Sequence, residues 1–159
     1  MADQLSPSAQ RVQHALAAHG VACEVVELPA TTRSAKDAAK AIGCNVEQIV
    51  KSLIFRGRQT NHAILVVASG KNMVNLERLA AVVGEPVEKP DADFVRQRTG
   101  FAIGGVPPAG HAEPIGTFID EDLLQYEEIW AAAGTPNAVF KLTPQELRII
   151  TGGSVVRIV

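Results

Sequence analysis

The sequence predicts an α/β protein of the α+β type, in which peripheral helices surround a mixed, barrel-like β-sheet of about seven strands. Seven or eight short β-rich runs are bounded by glycine, proline and other turn residues. Helical segments lie between these runs without the regular alternation of a doubly wound parallel sheet. The 159 residues, of which 47% are hydrophobic and 20% charged, match one globular domain, so residues 1–159 are predicted to form a single domain.

Five segments carry the signals of helices. The first places Val12, Ala15 and Leu16 on one helix face and ends at a glycine. The last opens with Thr143, Pro144 and Glu146, the N-cap, first and third positions of a capping box. The predicted helices span residues 8–19, 35–42, 76–83, 91–98 and 144–150.

The predicted strands are the β-rich runs at residues 22–28, 49–56, 62–68, 101–103, 115–119, 137–142 and 154–159. The second and third runs are separated by a segment with the length and composition of a hairpin loop, so we expect them to pair as an antiparallel hairpin. Residues 126–133 fit either a helix or a strand, and residues 31–34 are expected to form a polar loop.

The charge balance and the apolar pattern exclude several classes of protein. With 15 basic and 17 acidic residues the net charge is -2, which argues against a broad phosphate-contact surface and against duplex DNA as a partner. No apolar run is long enough to span a bilayer, and the N-terminus lacks the apolar core of an export signal. The two cysteines fit a reducing compartment. These features predict a cytoplasmic protein without a membrane partner.

Lys51 is the first candidate for chemistry. Strand alternation places it on one face with Ile49, Leu53 and Phe55. Burial among apolar groups lowers the pKa of a lysine, and such lysines often bind ligands or catalyse reactions. The alternative is a lysine near a strand end that extends its ammonium group into water.

The second candidate is the loop at residues 104–111, Gly-Gly-Val-Pro-Pro-Ala-Gly-His. Paired glycines allow close approach of the backbone to a ligand, and the prolines Pro107 and Pro108 stiffen the loop. Free N–H groups on a rigid loop are what an oxyanion hole requires, although a tight structural turn is an equal alternative. His111 at the end of the loop could donate a hydrogen bond, act as a base or have a structural role.

Other polar residues are open to two interpretations. Asp120 could orient a site lysine or histidine, or cap the segment that follows it. Ser69, in the turn after a strand, could be structural or bind substrate. Cys23 and Cys44 lack companions at metal-ligand spacing, and a nucleophilic thiol has no local support. No metal site and no cofactor are therefore predicted.

Several segments together resemble one known family. They are Lys51-Ser52-Leu53, the loop at residues 104–111, Phe118-Ile119-Asp120, and Trp130-Ala131-Ala132-Ala133-Gly134. The sequence from about residue 8 to the C-terminus resembles the YbaK/EbsC family, the prolyl-tRNA synthetase-associated or insertion-like editing domains. The ordered pair of lysine and glycine-rich loop is the specific part of this resemblance.

The resemblance implies a free-standing trans-editing enzyme, a hydrolase that cleaves the ester between a wrong amino acid and the 3′ end of a tRNA. It implies a mixed, barrel-like sheet. It also implies that Lys51, Gly104 and Gly105 carry catalysis, with Lys51 acting either as an ammonium clamp or as a base. Substrate binding is expected at the following residues: Val106, Pro107, His111, Asp120 and Ser69. The expected partners are the acceptor end of an aminoacyl-tRNA and a tRNA synthetase that supplies additional affinity.

The resemblance also bears on the substrate. Cysteine-specific relatives carry Ser-Pro where this chain has Pro107-Pro108, so the sequence is closer to the Gly-Gly-x-Pro-Pro variants. This difference favours tRNA(Pro) carrying a small amino acid such as alanine, with serine and threonine left open. The alternative function is a non-catalytic module that binds aminoacyl-tRNA for regulation.

Overall fold

The computed structural model describes residues 5–29 and 34–159, so most of the predicted polar loop at residues 31–34 lies outside the described residues. Within them the chain forms five α-helices and eight strands, which confirms the predicted α/β class. In chain order these are α1 Pro7–Ala18, β1 Val25–Glu27, α2 Ala35–Ile42, β2 Ile49–Gly57, β3 Ala63–Ser69, α3 Leu76–Val83, β4 Val87–Glu88, α4 Ala92–Thr99, β5 Gly116–Asp120, β6 Ile129–Ala132, β7 Ala138–Leu142, α5 Pro144–Thr151 and β8 Ser154–Val156. Short 3-10 helices span Val46–Gln48 and Glu121–Gln125.

The predicted helix caps are present. The Ser34 side chain accepts the backbone N–H of Asp37 at the start of α2. At α5, Thr143 and Glu146 form the predicted capping box, in which each side chain accepts the backbone N–H of the other residue. Both helices end at glycines in the left-handed conformation. Local sequence signals therefore determine the helix boundaries to within a residue or two.

The sheet is mixed. Its strand order is β1-β7-β6-β2-β3-β5-β8, with β4 added to β2. The predicted hairpin is confirmed, because β2 and β3 pair antiparallel with Lys51 opposite Ala68. β2 pairs parallel with β6, and β3 pairs parallel with β5. Among the described strands β1 and β8 remain the two ends of the order, so the sheet is not closed into a barrel.

Two local predictions change. Residues 101–103, predicted to be a strand, form a turn, because Phe101 is buried in the core and its N–H donates to the Thr99 hydroxyl. Residues 126–133, which fitted a helix or a strand, contain β6 between β2 and β7. Tertiary pairing, which the sequence pattern does not report, decides both cases.

The core lies on both sides of the sheet. Val50 and Ile54 of β2 belong to the main cluster, which also holds apolar residues of α1, α4 and α5. Phe55 packs in a second cluster with Leu79 of α3, and Ile49 packs against α2 in a third. Strand β2 thus sends alternate side chains to opposite faces, as predicted. None of the helices formed by residues 5–29 and 34–159 is long and apolar enough to cross a membrane.

Candidate active site

A gap in the sheet beside β2 positions the main cleft. β6 pairs with β2 only at Ile49–Val50, and β4 pairs with it only at Arg56–Gly57. If this register continued, Lys89 would lie opposite Phe55 and Pro90 opposite Ile54. Pro90 is at the next position whose N–H would point toward β2, and proline has no N–H, so the ladder ends. Among the described strands, none pairs with the outer edge of β2 at residues 51–55.

The cleft at this gap has a volume of about 700 Å³ and a largely apolar lining. Residues of β2, α2, β6, the segment before α3 and the loop after α4 contribute to it. Within the described part of the chain, Lys51 and Lys89 are the ionisable side chains that line it. Cavities of this size hold small-molecule ligands.

Lys51 is held in one position at the cleft. Its Nζ donates a hydrogen bond to the backbone carbonyl of Asn72 across 2.5 Å. Burial lowers the pKa of Lys51 below its ordinary value of 10.5; the charge of Asp120 opposes this shift and the charge of Lys89 adds to it. The contact with Asn72 uses one of the three N–H donors of the ammonium.

A buried polar network fixes the carbonyl that receives Lys51. Asn72 Nδ2 donates to Asp120 Oδ2 at 2.8 Å and to Asp122 Oδ2 at 2.7 Å. The fully buried Asp120 also accepts the backbone N–H groups of Ser69 and Asp122. Asp120 therefore caps the 3-10 helix, as one sequence interpretation predicted, and it also holds the side chain of Asn72, whose carbonyl accepts from Lys51. The role of Asp120 in orienting a site lysine stays a prediction.

The glycine-rich loop reaches the cleft through its first residues. Gly104 and Val106 line the cleft, and Gly104 has a φ of +95°, which favours glycine. Gly105 is buried; its N–H donates to the Ala102 carbonyl, and its own carbonyl accepts the N–H of Gly134. A Cβ at Gly105 would lie 3.0 Å from backbone atoms of Gly134. Gly105 therefore allows the loop to pack closely against the chain after β6.

His111 closes the same loop on itself. Its Nε2 lies 2.7 Å from the carbonyl oxygen of Pro107. Burial lowers the pKa of His111 below its ordinary value of 6.5, and the hydrogen bond to Pro107 opposes this shift. In the neutral ring Nε2 must carry the hydrogen to make this contact. His111 thus holds the loop without lining the cleft.

The structure brings Lys51, Gly104 and Val106 together at the cleft. The other predicted site residues are not part of its lining; they are Gly105, Pro107, His111, Asp120 and Ser69. The contacts above place these residues behind the lining, where they support the residues that form it. Their roles in catalysis and substrate binding stay predictions.

Sequence reasoning did not single out Ser52 or Lys89, which also line the cleft. The sequence analysis included Ser52 only because it follows Lys51 in the Lys51-Ser52-Leu53 motif. The Lys89-Pro90 step could have indicated the end of a strand pairing, since proline cannot donate to a ladder. The gap itself depends on which strands lie beside β2, which no local pattern reports.

The cysteine thiols are poor candidates for a nucleophile. Burial, with the nearby Glu146, raises the pKa of Cys23 to about 11, and burial also raises the pKa of Cys44. Thiolates are therefore scarce at neutral pH. No group of three or more His, Cys, Asp or Glu residues within residues 5–29 and 34–159 is arranged to hold a metal ion.

Known proteins resemble this chain in sequence and in overall fold. Residues 29–150 match the family described as the aminoacyl-tRNA editing domain. The Bacillus subtilis protein YwhH is 32% identical over 124 residues, 78% of each chain. The proline–tRNA ligase of Thermosipho melanesiensis is 31% identical over 88 residues, 55% of this chain and 15% of the ligase.

A crystal structure described as that of a candidate trans-editing enzyme for prolyl-tRNA synthetase superposes with a TM-score of 0.92. It is 52% identical and covers 98% of both chains. The family match spans most of the chain, including Lys51 and the glycine-rich loop. The YbaK/EbsC resemblance is thereby confirmed, and the chain belongs to the aminoacyl-tRNA editing domain family.

Proposed function

We propose that this protein is a trans-editing aminoacyl-tRNA deacylase, which hydrolyses the ester of a mischarged tRNA. The observation that carries the proposal is the Lys51 ammonium, held by the Asn72 carbonyl in an apolar cleft that Gly104 also lines. The amino acid pocket of a synthetase discriminates between similar amino acids by only about 10–200-fold. A separate site that hydrolyses the wrongly charged tRNA supplies the additional fidelity. The family match supports this role.

Lys51 acts as an electrostatic clamp. Its ammonium donates to Asn72, and the charge of Asp120 favours the protonated form. The remaining N–H donors of the ammonium face the ester, where they stabilise negative charge that develops on the carbonyl oxygen. The rate of ester hydrolysis should therefore fall as the pH rises through the lowered pKa of Lys51.

Gly104 supplies a backbone N–H to the same oxygen, while Gly105 keeps the loop in place because its own N–H is bonded to Ala102. Water adds to the ester carbonyl, and the bond between this carbon and the ribose oxygen breaks. A proton from the attacking water passes to the ribose oxygen, which releases the free amino acid and an uncharged tRNA. No covalent enzyme intermediate is required.

The substrate is tRNA(Pro) carrying a small amino acid, with alanine favoured. The apolar lining near Val106 suits a short side chain, and Pro107 stiffens the loop directly behind it. The test compares deacylation of alanyl-, seryl-, threonyl- and cysteinyl-tRNA under one set of conditions. A clear preference for the cysteinyl substrate would overturn this choice.

The substrate is recognised through its acceptor end, in the cytoplasm where tRNAs are charged. The net charge of -2 leaves little electrostatic attraction for the tRNA body. The similarity to part of a proline–tRNA ligase supports a synthetase as the partner that supplies additional affinity. A minimal acceptor-stem helix should retain much of the activity of full-length tRNA; an inert helix would point to the synthetase as a required partner.

The decisive experiment measures hydrolysis of alanyl-tRNA(Pro) by the wild type and by Lys51→Ala. We expect Lys51→Ala to be folded and to have lost most of its activity. Lys51→Arg should retain little activity, because the planar guanidinium differs from an ammonium. Lys71→Ala, which alters an exposed lysine outside the cleft, is the matched control. A folded Lys51→Ala protein with wild-type activity would refute the clamp. Binding of aminoacyl-tRNA without turnover by the wild type would favour the regulatory module instead.

A further inference from the structure

One edge of β2 presents to the cleft backbone groups that have no hydrogen-bond partner among residues 5–29 and 34–159. Gly57 N–H donates to His62, and Gly70 N–H donates to Ile49, so the odd-numbered residues of β2 exchange hydrogen bonds with β3. Because these bonds alternate along an antiparallel strand, the N–H and C=O groups of Ser52 and Ile54 point to the opposite edge. That edge is the gap between β6 and β4.

Ser52 also carries a hydroxyl without a partner. Its Oγ is buried and makes no hydrogen bond among the described residues. Ser52 lies between Val50 and Ile54 on β2, on the face that joins the main apolar cluster with Val95 and Val106. A buried hydroxyl in apolar surroundings is unfavourable when it has no hydrogen bond. Such a group in a cleft is therefore a candidate for contact with a ligand.

We propose that Ser52 binds the aminoacyl group of the substrate as a single residue added to the edge of β2. This inference rests on the proposed function and names the group that holds the amino acid. In an antiparallel ladder, two facing residues exchange two N–H···O hydrogen bonds. An aminoacyl ester offers the same pair of groups, N–H donors on the α-amino group and an acceptor on the carbonyl.

In this arrangement the Ser52 carbonyl accepts from the α-amino group, and the Ser52 N–H donates to the ester carbonyl. The Ser52 hydroxyl provides a second acceptor for the α-amino group. Paired residues place their side chains on the same face of a sheet, so the amino acid side chain lies on the apolar face with Ile54 and Val106. The gap between β6 and β4 contains two outward-facing residues of β2, Ser52 and Ile54, so it is long enough for one amino acid.

The test uses two ligands that lack the labile ester. One is 3′-alanylamino-3′-deoxyadenosine, and the other is its 3′-propionylamino analogue, which lacks only the α-amino group. We expect the wild type to bind the alanylamino ligand about ten-fold more tightly, the factor that one or two hydrogen bonds supply. Ser52→Ala should weaken alanylamino binding by about five- to ten-fold and change propionylamino binding by less than about two-fold.

Two further variants separate recognition from folding. Ser52→Thr keeps the hydroxyl and should retain the preference for the α-amino group. Ser154→Ala, which alters an exposed residue of β8, is the matched control and should change neither affinity. Because the Ser52 hydroxyl has no hydrogen-bond partner among the described residues, Ser52→Ala should leave the melting temperature unchanged or raise it.

The outcomes are distinct. Equal binding of the two ligands by the wild type, no binding of either ligand at millimolar concentration, or an equal loss of both in Ser52→Ala would each overturn the inference. A preference for the alanylamino ligand that depends on Ser52, in a protein that hydrolyses none of alanyl-, seryl-, threonyl- and cysteinyl-tRNA, would support the inference and refute the proposed deacylase activity.

Discussion

Asp120→Asn tests the buried network behind Lys51. In its lower-energy orientation the new amide at position 120 keeps its oxygen toward Ser69 N–H and Asn72 Nδ2. Its NH2 group then faces Asp122 N–H, and the hydrogen bond between Asp122 N–H and the side chain at position 120 is lost. The lost cap bond costs about 1–2 kcal/mol. Replacing a charged acceptor by a neutral one weakens the two retained bonds by about 1 kcal/mol in total or somewhat more. The expected loss of unfolding free energy is about 2–4 kcal/mol.

A loss of this size leaves the protein folded, because domains have unfolding free energies of about 5–15 kcal/mol. For a chain of this length it corresponds to a decrease in melting temperature of roughly 4–16 °C. Urea unfolding followed by circular dichroism gives the free energy directly. An unchanged midpoint would refute the claim that Asp120 supports the network.

The same variant has a second readout. The charge of Asp120 raises the pKa of Lys51, so its removal lowers that pKa further. If protonated Lys51 is required, the decline of hydrolysis at high pH should move to lower pH in Asp120→Asn.

Asp122→Asn is the matched control for the stability measurement. Asp122 also contacts Asn72 but is only partly buried, so Asp122→Asn should lower the free energy of unfolding by less than about 1 kcal/mol. An equal effect of both variants would show that burial of Asp120 is not the cause.

Three other predictions follow from the loop and the lining. Gly105→Ala should lower the unfolding free energy by about 1–3 kcal/mol, because the added Cβ would press on the backbone of Gly134. Gly116→Ala, where a Cβ meets nothing within 4 Å, should change it by less than about 0.5 kcal/mol in the same urea titration, and equal losses would contradict the packing argument. Burial lowers the pKa of His111 in the folded state, so the unfolded chain binds the proton first; stability should fall as the pH decreases through 6.5 and level off below the folded pKa. His111→Gln should remove this component of the pH dependence, and an unchanged profile would exclude His111 as its source. Treatment with a chelator should leave deacylation unchanged, and inactivation reversed by Zn²⁺ would contradict the metal-free proposal.

Helix positions and the hairpin were predictable because their signals are local. Ser34 and the capping box at Thr143 satisfy backbone N–H groups within the same turn of chain, so the side chains that determine the ends are adjacent in sequence. Strand alternation correctly placed Lys51 and Phe55 on one face of β2, because the period of a strand does not depend on its neighbours. The short β4 and the turn at residues 101–103 were not predictable, because strand pairing and burial in the core decide them.

The candidate site also has features that the sequence indicates and features that only tertiary contacts reveal. The sequence alone, through its motif, pointed to Lys51 and the glycine-rich loop, and both reach the cleft. The sequence did not distinguish Gly104, which lines the cleft, from Gly105, which packs against Gly134, because both have the same local pattern. Only contacts between residues far apart in the chain separate these roles.

The sequence by itself determined the family and the helices, and it singled out the lysine and the glycine-rich loop that reach the cleft. The tertiary structure decided that β6 and β4 leave part of β2 unpaired, and that Ser52 lies at this gap with a hydroxyl that has no partner in the described chain. It also decided that Asp120 reaches Lys51 through Asn72. The physical reason is that hydrogen-bond satisfaction is a property of the whole fold: whether a buried group has a partner depends on every segment packed around it.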